Sequence, residues 1–205
     1  MIQLYAANTG NGQRGTIALE ESGLPFQLNK INLQKGEQQS PEFLARNPMG
    51  QIPVIVDSDG PGGKSVTLSQ SGAILLYVAQ KTGKFLPKDP VALAKCHEWL
   101  MNACTDIAAV SSVMFVLMNF VKEKVPSNAE WYEQRLMRYF HVCEAQLKGR
   151  DYLAGELTVA DLALFPVVNT RRPLIDKAGD MPNLTKWHTA MAARPAIQRA
   201  LKSLA

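Results

Sequence analysis

The segment NPMGQIPV, residues 47–54, carries the strongest local signal in this chain. Its two prolines and its glycine mark a loop, and the apolar, β-branched residues 53–57 that follow predict a strand. A second motif, QSGAI at residues 70–74, begins 17 residues after Pro53 and predicts a helix start with Ser71 as its cap. We therefore expect the two loops to meet in the folded protein.

The residues before this segment alternate between strand and helix patterns. Residues 2–6 and 26–32 predict two strands. Between them, the loop NTGNG at residues 8–12 opens a helix that ends at Gly23. A cap and a first-turn proline, Ser40-Pro41, then begin a short helix. This half of the chain therefore starts as β-α-β-α.

The residues after the segment complete a small α/β domain. A glycine-rich turn at residues 59–63 separates the strand at 53–57 from a short strand at 66–68, which predicts a hairpin. The helix that begins at Ser71 then gives the order β-α-β-α-β-β-α for residues 1–83. Residues 84–90 contain two prolines and predict a short, ordered linker.

Residues 91–205 carry long stretches of helical periodicity and predict an all-α domain of five or six helices. Thr158 and Asp161 have the spacing of a capping box, which starts a buried helix. Pro166 is expected to interrupt that helix, and Pro182 and Pro195 to open two more.

Composition excludes several classes of function. The net charge of +4 comes from scattered basic residues, so we expect no nucleic-acid partner. We expect no signal sequence and no membrane span of about 18 apolar residues, so the sequence predicts a cytoplasmic protein. The three cysteines and three histidines have neither redox-pair nor ligand spacing, which predicts no disulfide framework and no metal site.

The motifs in this order resemble the glutathione transferase family. The resemblance rests on residues 47–54 and 70–74, on the sequence YLAG before the capping box, on Trp187 and on Arg194-Pro195, and it spans essentially the whole chain. It implies a thioredoxin-like N-terminal domain followed by an all-α domain. It also implies glutathione or glutathione disulfide as ligand, a small electrophile or disulfide as second substrate, and a homodimer.

The same resemblance implies how glutathione would be held. Ile52 would pair its backbone with the peptide, and the Ile52-Pro53 bond would be cis. Ser71 would receive the γ-glutamyl carboxylate at a helix start. Many members carry an acidic residue at the preceding position, where this chain has the neutral Gln70. Gln38 and Gln51 match further polar positions, although exposed glutamines are often plain surface.

The residues that would contact the thiol are Thr9 and Asn11. Members of the family use a Tyr, Ser or Cys near the first strand, but position 10 is Gly and residues 1–83 contain no cysteine. Tyr5 is an alternative thiol contact, but its place in the first predicted strand favours a role as a sheet residue. The pair Thr9 and Asn11 resembles the Nu-class transferases and their bacterial relatives, which act as glutathione-dependent disulfide reductases. A plain structural alternative is that both residues only cap the first helix.

Other roles stay open from the sequence. Residues 114–120 offer an apolar wall for a second substrate, but such a stripe is also typical of a core. The Arg171-Arg172 pair could bind a carboxylate of a second glutathione or form a solvated face. A non-catalytic glutathione-binding or regulatory module of the same fold is the alternative to an enzyme, since fold does not determine function.

Overall fold

The computed structural model describes all residues 1–205 and divides them into two compact units. The first unit comprises Met1–Leu86 together with Ala192–Ala205, and the second comprises Pro87–Met191. The sequence prediction divided the chain differently, because it placed all of residues 91–205 in the helical domain.

The first unit is built on a four-stranded sheet in the order β2-β1-β3-β4. The strands are β1 (Ile2–Ala6), β2 (Phe26–Lys30), β3 (Val54–Asp57) and β4 (Val66–Ser69). β1 and β2 run parallel, whereas β3 is antiparallel to both β1 and β4. This mixed sheet confirms the thioredoxin-like fold predicted for the first domain.

Four helices belong to the first unit together with this sheet. They are α1 (Gly10–Ser22), α2 (Pro41–Leu44), α3 (Ser71–Thr82) and, from the end of the chain, α10 (Pro195–Leu204). α1 and α3 pack against each other. Two short 3₁₀ turns, Leu33–Lys35 and Glu37–Gln39, join β2 to α2 and were not predicted.

The last helix belongs to the first unit because it packs along α1. Its residues Ile197, Ala200 and Leu204 are buried. Arg194 forms a bidentate ion pair with Glu21 at 2.6 and 2.8 Å, a geometry that orients both side chains. The C-terminal helix therefore supports the helix that carries Thr9 and Asn11 at its start.

The second unit is helical, as predicted. Its helices are α4 (Pro90–Met101), α5 (Ala108–Asn119), α6 (Pro126–Gln146), α7 (Val159–Thr170), α8 (Arg172–Ala178) and α9 (Pro182–Ala192). With α10, seven α-helices follow residue 89, so the expected five or six was too low. The expected break at Pro166 is also wrong, because this buried proline lies inside α7. Packing on all sides of α7 outweighs the one backbone hydrogen bond that a proline removes.

α4 and α5 are joined by a π-helical turn, Asn102–Ile107, into one helical segment. This segment, Pro90–Asn119, contains a window of mean hydropathy 1.7 and is long and apolar enough to cross a membrane. On length and composition it contradicts the expectation of no such segment. The core helix of a soluble protein meets the same criterion.

Candidate functional site

The peptide bond between Ile52 and Pro53 is cis, as the family resemblance implied. Pro53 is buried and its ring faces Gly15 of α1, where a side chain would crowd it. Ile52 precedes β3, and neither its N–H nor its carbonyl has a hydrogen-bond partner within the protein. Such a residue can accept an extended peptide as an added strand.

Asn47, which sequence reasoning did not select, shapes the loop before Ile52. This side chain is only 4% exposed. Its Nδ2 donates to the carbonyl of Gln51 at 2.7 Å, and its Oδ1 accepts from the Met49 N–H at 3.2 Å. Both ends of the amide are thereby used inside the loop. Asn47 thus holds the segment that presents Ile52.

The start of α1 brings Thr9 and Asn11 together. Thr9 is the N-cap, and its Oγ1 accepts from the Gly12 N–H at 3.1 Å. The capping bond uses a lone pair of the hydroxyl, so the Thr9 proton is still able to bind an anion. Asn11 lies inside the first turn rather than at the cap. Gly12 is required here, because an added methyl group would overlap the carbonyl oxygen of Ala7.

The start of α3 differs from the prediction. Gln70, not Ser71, occupies the N-cap position, and its side chain makes no capping bond. Gln70 also has a φ of 71°, in the left-handed region that few non-glycine residues adopt. Ser71 fails as a cap because it is the first helical residue and its hydroxyl bonds across to α1. The first-turn amides of α3 therefore have no side-chain acceptor, which suits an anion.

Arg14 joins the two helix starts. It is 2% exposed, and its Nη1 donates to Asn11 Oδ1 at 3.1 Å and to Ser71 Oγ at 3.4 Å. Ser71 Oγ in turn donates to Asn11 Oδ1 at 3.3 Å. Sequence reasoning missed Arg14, although an arginine on the buried stripe of α1, one turn before Ile17 and Ala18, was the available signal.

The two remaining predicted ligand residues are less closely tied to this cluster. Gln51 is exposed, and only its backbone carbonyl makes a bond in the site. Gln38 lies in the second 3₁₀ turn, and its buried Oε1 has no hydrogen-bond partner. Neither bonds to Thr9, Asn11 or Ser71, so both stay predictions.

Tyr5 lies within β1, where it pairs with Asn29 and Val54. Its ring packs edge-on against Phe43, and the Arg46 guanidinium lies 4.7 Å above it. These contacts are those of a sheet residue. Beside Thr9, a shallow cavity of about 430 Å³ opens at the end of β1; its lining residues are Ala7, Asn8, Thr9, Lys30, Ile31, Asn32, Leu33 and Glu37.

The second unit holds the remaining candidates. Within the proposed apolar wall, Met114 is buried, whereas Phe115, Met118 and Phe120 are exposed. Arg171 is half-buried and donates to the Ser111 hydroxyl and carbonyl at 2.9 and 2.7 Å, so it does not form the solvated face considered above. Arg172 pairs with Asp176 at 2.7 Å.

All three cysteines also lie in the second unit. Burial raises the pKa of Cys143 to about 12 and raises that of Cys96. A buried thiol with a raised pKa is a poor nucleophile. The first unit, which holds the candidate site, contains no cysteine.

Comparison with known proteins adds independent findings. The family model "Glutathione S-transferase, N-terminal domain" matches residues 2–80, and "Glutathione S-transferase, C-terminal domain" matches residues 108–204. Disulfide-bond oxidoreductase YfcG of Escherichia coli K12 is 38% identical, with 98% of this chain and 94% of the relative covered. Glutathione S-transferase F10 of Arabidopsis thaliana is 32% identical, with 96% and 94% covered.

A solved structure matches over nearly the same extent. It is a glutathione transferase from Pseudomonas putida with one glutathione disulfide bound per subunit. The two structures agree with a TM-score of 0.92 at 32% identity, over 98% of this chain and 90% of the other.

Proposed function

Because this chain belongs to the glutathione S-transferase family, we propose that it is a glutathione-dependent disulfide reductase in which Thr9 and Asn11 stabilise the glutathione thiolate. Its similarity to a bacterial disulfide-bond oxidoreductase and to a transferase with bound glutathione disulfide supports this reaction. Glutathione is the co-substrate.

One observation carries the proposal: the starts of α1 and α3 are joined by hydrogen bonds through Arg14, and both have donors that the protein does not use. Glutathione carries a carboxylate at its γ-glutamyl end and a thiol near its centre. The uncapped start of α3, with Ser71, fits the carboxylate. The Thr9 hydroxyl and the Asn11 amide fit the thiolate, while Ile52 fits the peptide backbone between them.

The expected effect on the thiol follows from these donors. A free thiol has a pKa of about 8.5, and each unit of depression corresponds to about 1.4 kcal/mol of preference for the thiolate. Hydrogen bonds from Thr9 and Asn11, with the partial positive charge of the α1 start, have the size for one or two units. The thiolate is the attacking species in disulfide exchange.

The reaction needs no protein thiol. The glutathione thiolate attacks one sulfur of the substrate disulfide, which forms a mixed disulfide and releases the other sulfur as a thiolate. A second glutathione thiolate attacks the glutathione sulfur of the mixed disulfide, which forms glutathione disulfide and releases the second substrate thiolate. Two glutathione thiols are oxidised and one disulfide is reduced to two thiols. The absence of cysteine from the first unit is consistent with this scheme.

Conjugation of glutathione to an electrophile is the second candidate. The 32% identity to a plant glutathione S-transferase over 96% of this chain favours it. The same thiolate would attack a carbon centre instead of a sulfur. The exposed apolar side chains Phe115, Met118 and Phe120 are of a type that binds apolar electrophiles.

Parallel assays with a model disulfide and a halogenated aromatic compound separate these reactions. We expect faster turnover with the disulfide, and Asn11→Ala should reduce that turnover by up to about tenfold, because it removes at most about one unit of the thiol pKa shift. Asn128→Ala, at an exposed asparagine in the second unit, is the control. Unchanged turnover of both substrates by Asn11→Ala would refute the role of Asn11. Retention on a glutathione matrix without turnover would instead favour a binding module.

We also propose a cytoplasmic homodimer. The buried free thiols of Cys96 and Cys143 suit a reducing compartment, and the family resemblance implies the dimer. Sedimentation velocity tests the latter, because a monomer at micromolar concentration would contradict it.

A further inference from the structure

Arg14 is the most buried cation of the site. It lies in α1, and only 2% of it is exposed. Arginine is rarely buried to this degree, because removing its charge from water is costly unless the site repays that cost. The position of Arg14 therefore calls for a role that a smaller apolar residue could not fill.

Arg14 forms a triangle of hydrogen bonds with two polar side chains, Asn11 and Ser71. Arg14 Nη1 donates to Asn11 Oδ1 and to Ser71 Oγ, and Ser71 donates to Asn11 Oδ1. Asn11 lies at the start of α1 and Ser71 at the start of α3, and 60 residues of chain separate them. One nitrogen of Arg14 therefore contacts a side chain from each end of the proposed glutathione site.

The chemistry of the guanidinium fixes how Asn11 is oriented. Arginine donates hydrogen bonds and accepts none, so the branch of the Asn11 amide that faces Arg14 is the carbonyl oxygen. The Nδ2 donor must then occupy the other branch, away from Arg14. A lysine, with one ammonium in place of the planar fork, would not define this orientation as strictly.

We propose that Arg14 is a positioning residue that turns the Asn11 amide donor toward the glutathione thiolate and holds Ser71 for the γ-glutamyl carboxylate. This role rests on the proposed function, because it assigns the thiol to Asn11 and the carboxylate to Ser71. The fixed positive charge also favours both anionic groups of the ligand. Losing Arg14 therefore weakens thiolate formation and carboxylate binding together.

The test is the pKa of the thiol of bound glutathione, followed by thiolate ultraviolet absorbance in the full-length protein, together with KM and kcat for disulfide reduction. Arg14→Met removes the charge and the fork, whereas Arg14→Lys keeps the charge. Leu19→Ala is the matched control, because Leu19 is fully buried on the same helix, five residues after Arg14, and its apolar side chain takes no part in the hydrogen bonds of the triangle. Thermal unfolding of each variant measures its stability.

We expect Arg14→Met to raise the bound thiol pKa by about one unit, a tenfold loss of thiolate at a pH below it, and to raise KM for glutathione. Arg14→Lys should recover most of the pKa shift but not the full kcat. Leu19→Ala should lower the unfolding temperature without moving the thiol pKa.

An unchanged thiol pKa in folded Arg14→Met, or an equal rise in Leu19→Ala, overturns the role of Arg14. If Arg14→Met does not fold, Arg14→Lys decides, and kinetics equal to those of the parent overturn the role. A parent protein that leaves the bound thiol at about 8.5 refutes the proposed function itself, and that result is distinct from a failure of the Arg14 variants alone.

Discussion

Two helices in this protein start with a threonine cap, yet their surroundings are opposite. At the start of α7, Thr158 is fully buried and the Asp161 carboxylate accepts from the Thr158 and Leu153 N–H groups at 3.0 Å and from Trp187 Nε1 at 3.1 Å. At the start of α1, Thr9 is half-buried and the first turn contains no acidic residue. We call the first start closed and the second open.

A threonine cap therefore stands at helix starts of two different kinds. At the closed start, the protein's own Asp161 carboxylate accepts from the Thr158 and Leu153 N–H groups and from Trp187, so its contribution is stability. The open start leaves the Thr9 hydroxyl and the Asn11 amide without such a carboxylate. In the proposed function, the glutathione thiolate is the external anion that these donors bind.

The largest expected effect is at the closed start. Asp161→Ala leaves several buried donors without an acceptor and should cost about 3 to 5 kcal/mol of unfolding free energy. Thermal denaturation should show a decrease of about 10 °C. Asp151→Ala, whose carboxylate is 76% exposed in its pair with Lys186, should change stability by less than about 0.5 kcal/mol. Equal stability of the two variants would contradict the stabilising role of Asp161 at the start of α7.

A second buried carboxylate with partners from the protein itself, Asp57 in the first unit, predicts an effect of pH on stability. Asp57 Oδ2 accepts from Tyr77 Oη at 2.6 Å and pairs with Lys81 Nζ at 2.8 Å. Burial acts to raise the pKa of Asp57, but the hydrogen bonds from Lys81, Tyr77 and the Asp59 N–H outweigh it, and the pKa is lowered. Asp57→Ala should cost about 2 kcal/mol at neutral pH, because Tyr77 loses its acceptor and Lys81 keeps only the Asp59 carbonyl.

The sign of the pH dependence follows from the lowered pKa. Asp57 contributes stability above its unfolded pKa of about 3.9, and this contribution is lost as the pH falls through its lower folded pKa. Denaturant titrations from neutral pH into that acid range should show the parent losing more stability than Asp57→Asn. A larger loss of stability in Asp57→Asn than in the parent at acid pH would contradict this role of Asp57.

The paired threonines give a smaller and more selective effect. Thr9→Ala removes a cap and should cost about 1 kcal/mol of stability, and it should also slow turnover about tenfold through one unit of thiol pKa. Thr158→Ala should cost at least as much stability without changing KM or kcat per folded molecule. Thr9→Ser, which keeps the hydroxyl, should restore both properties. Slower turnover per folded molecule in Thr158→Ala would contradict the prediction that only the open start, at α1, affects catalysis.

The smallest expected effect concerns Gln70, the neutral N-cap of α3. Gln70→Glu supplies a carboxylate for the ammonium of glutathione, and an exposed pair of this kind contributes about 0.2 to 1 kcal/mol. We expect KM for glutathione to decrease by a factor of about 1.5 to 5, with kcat unchanged. Added salt should reduce the gain. An increase in KM would show that the new charge repels the γ-glutamyl carboxylate.

The fold could be predicted from sequence because its signals are local. Local patterns predict individual strands and helices: examples are the turn residues around Pro53, the hairpin glycines and the Thr158 capping box. The family order of these motifs implied the cis bond before Pro53. The π-helical turn and the helical course through Pro166 were missed, since packing rather than local preference decides them.

The site was only partly predictable. The sequence pointed to the α1 start and to Ser71, but Ser71 was assigned to the wrong helix position and Arg14 was not recognised. Both errors have one cause: the hydrogen bonds between α1 and α3 join residues far apart in the chain. No local pattern reports such a contact. Gln38 and Gln51 remain predictions, because their roles depend on the bound ligand.

The roles of Thr9 and Asn11 are tested by the pKa of the glutathione thiol when it is bound to the parent protein, measured by thiolate absorbance across a pH titration. The open start of α1 predicts a value one or two units below the free value of about 8.5, and Asn11→Ala should return it toward that value. A bound thiol that titrates like free glutathione would contradict the proposal that Thr9 and Asn11 stabilise a thiolate.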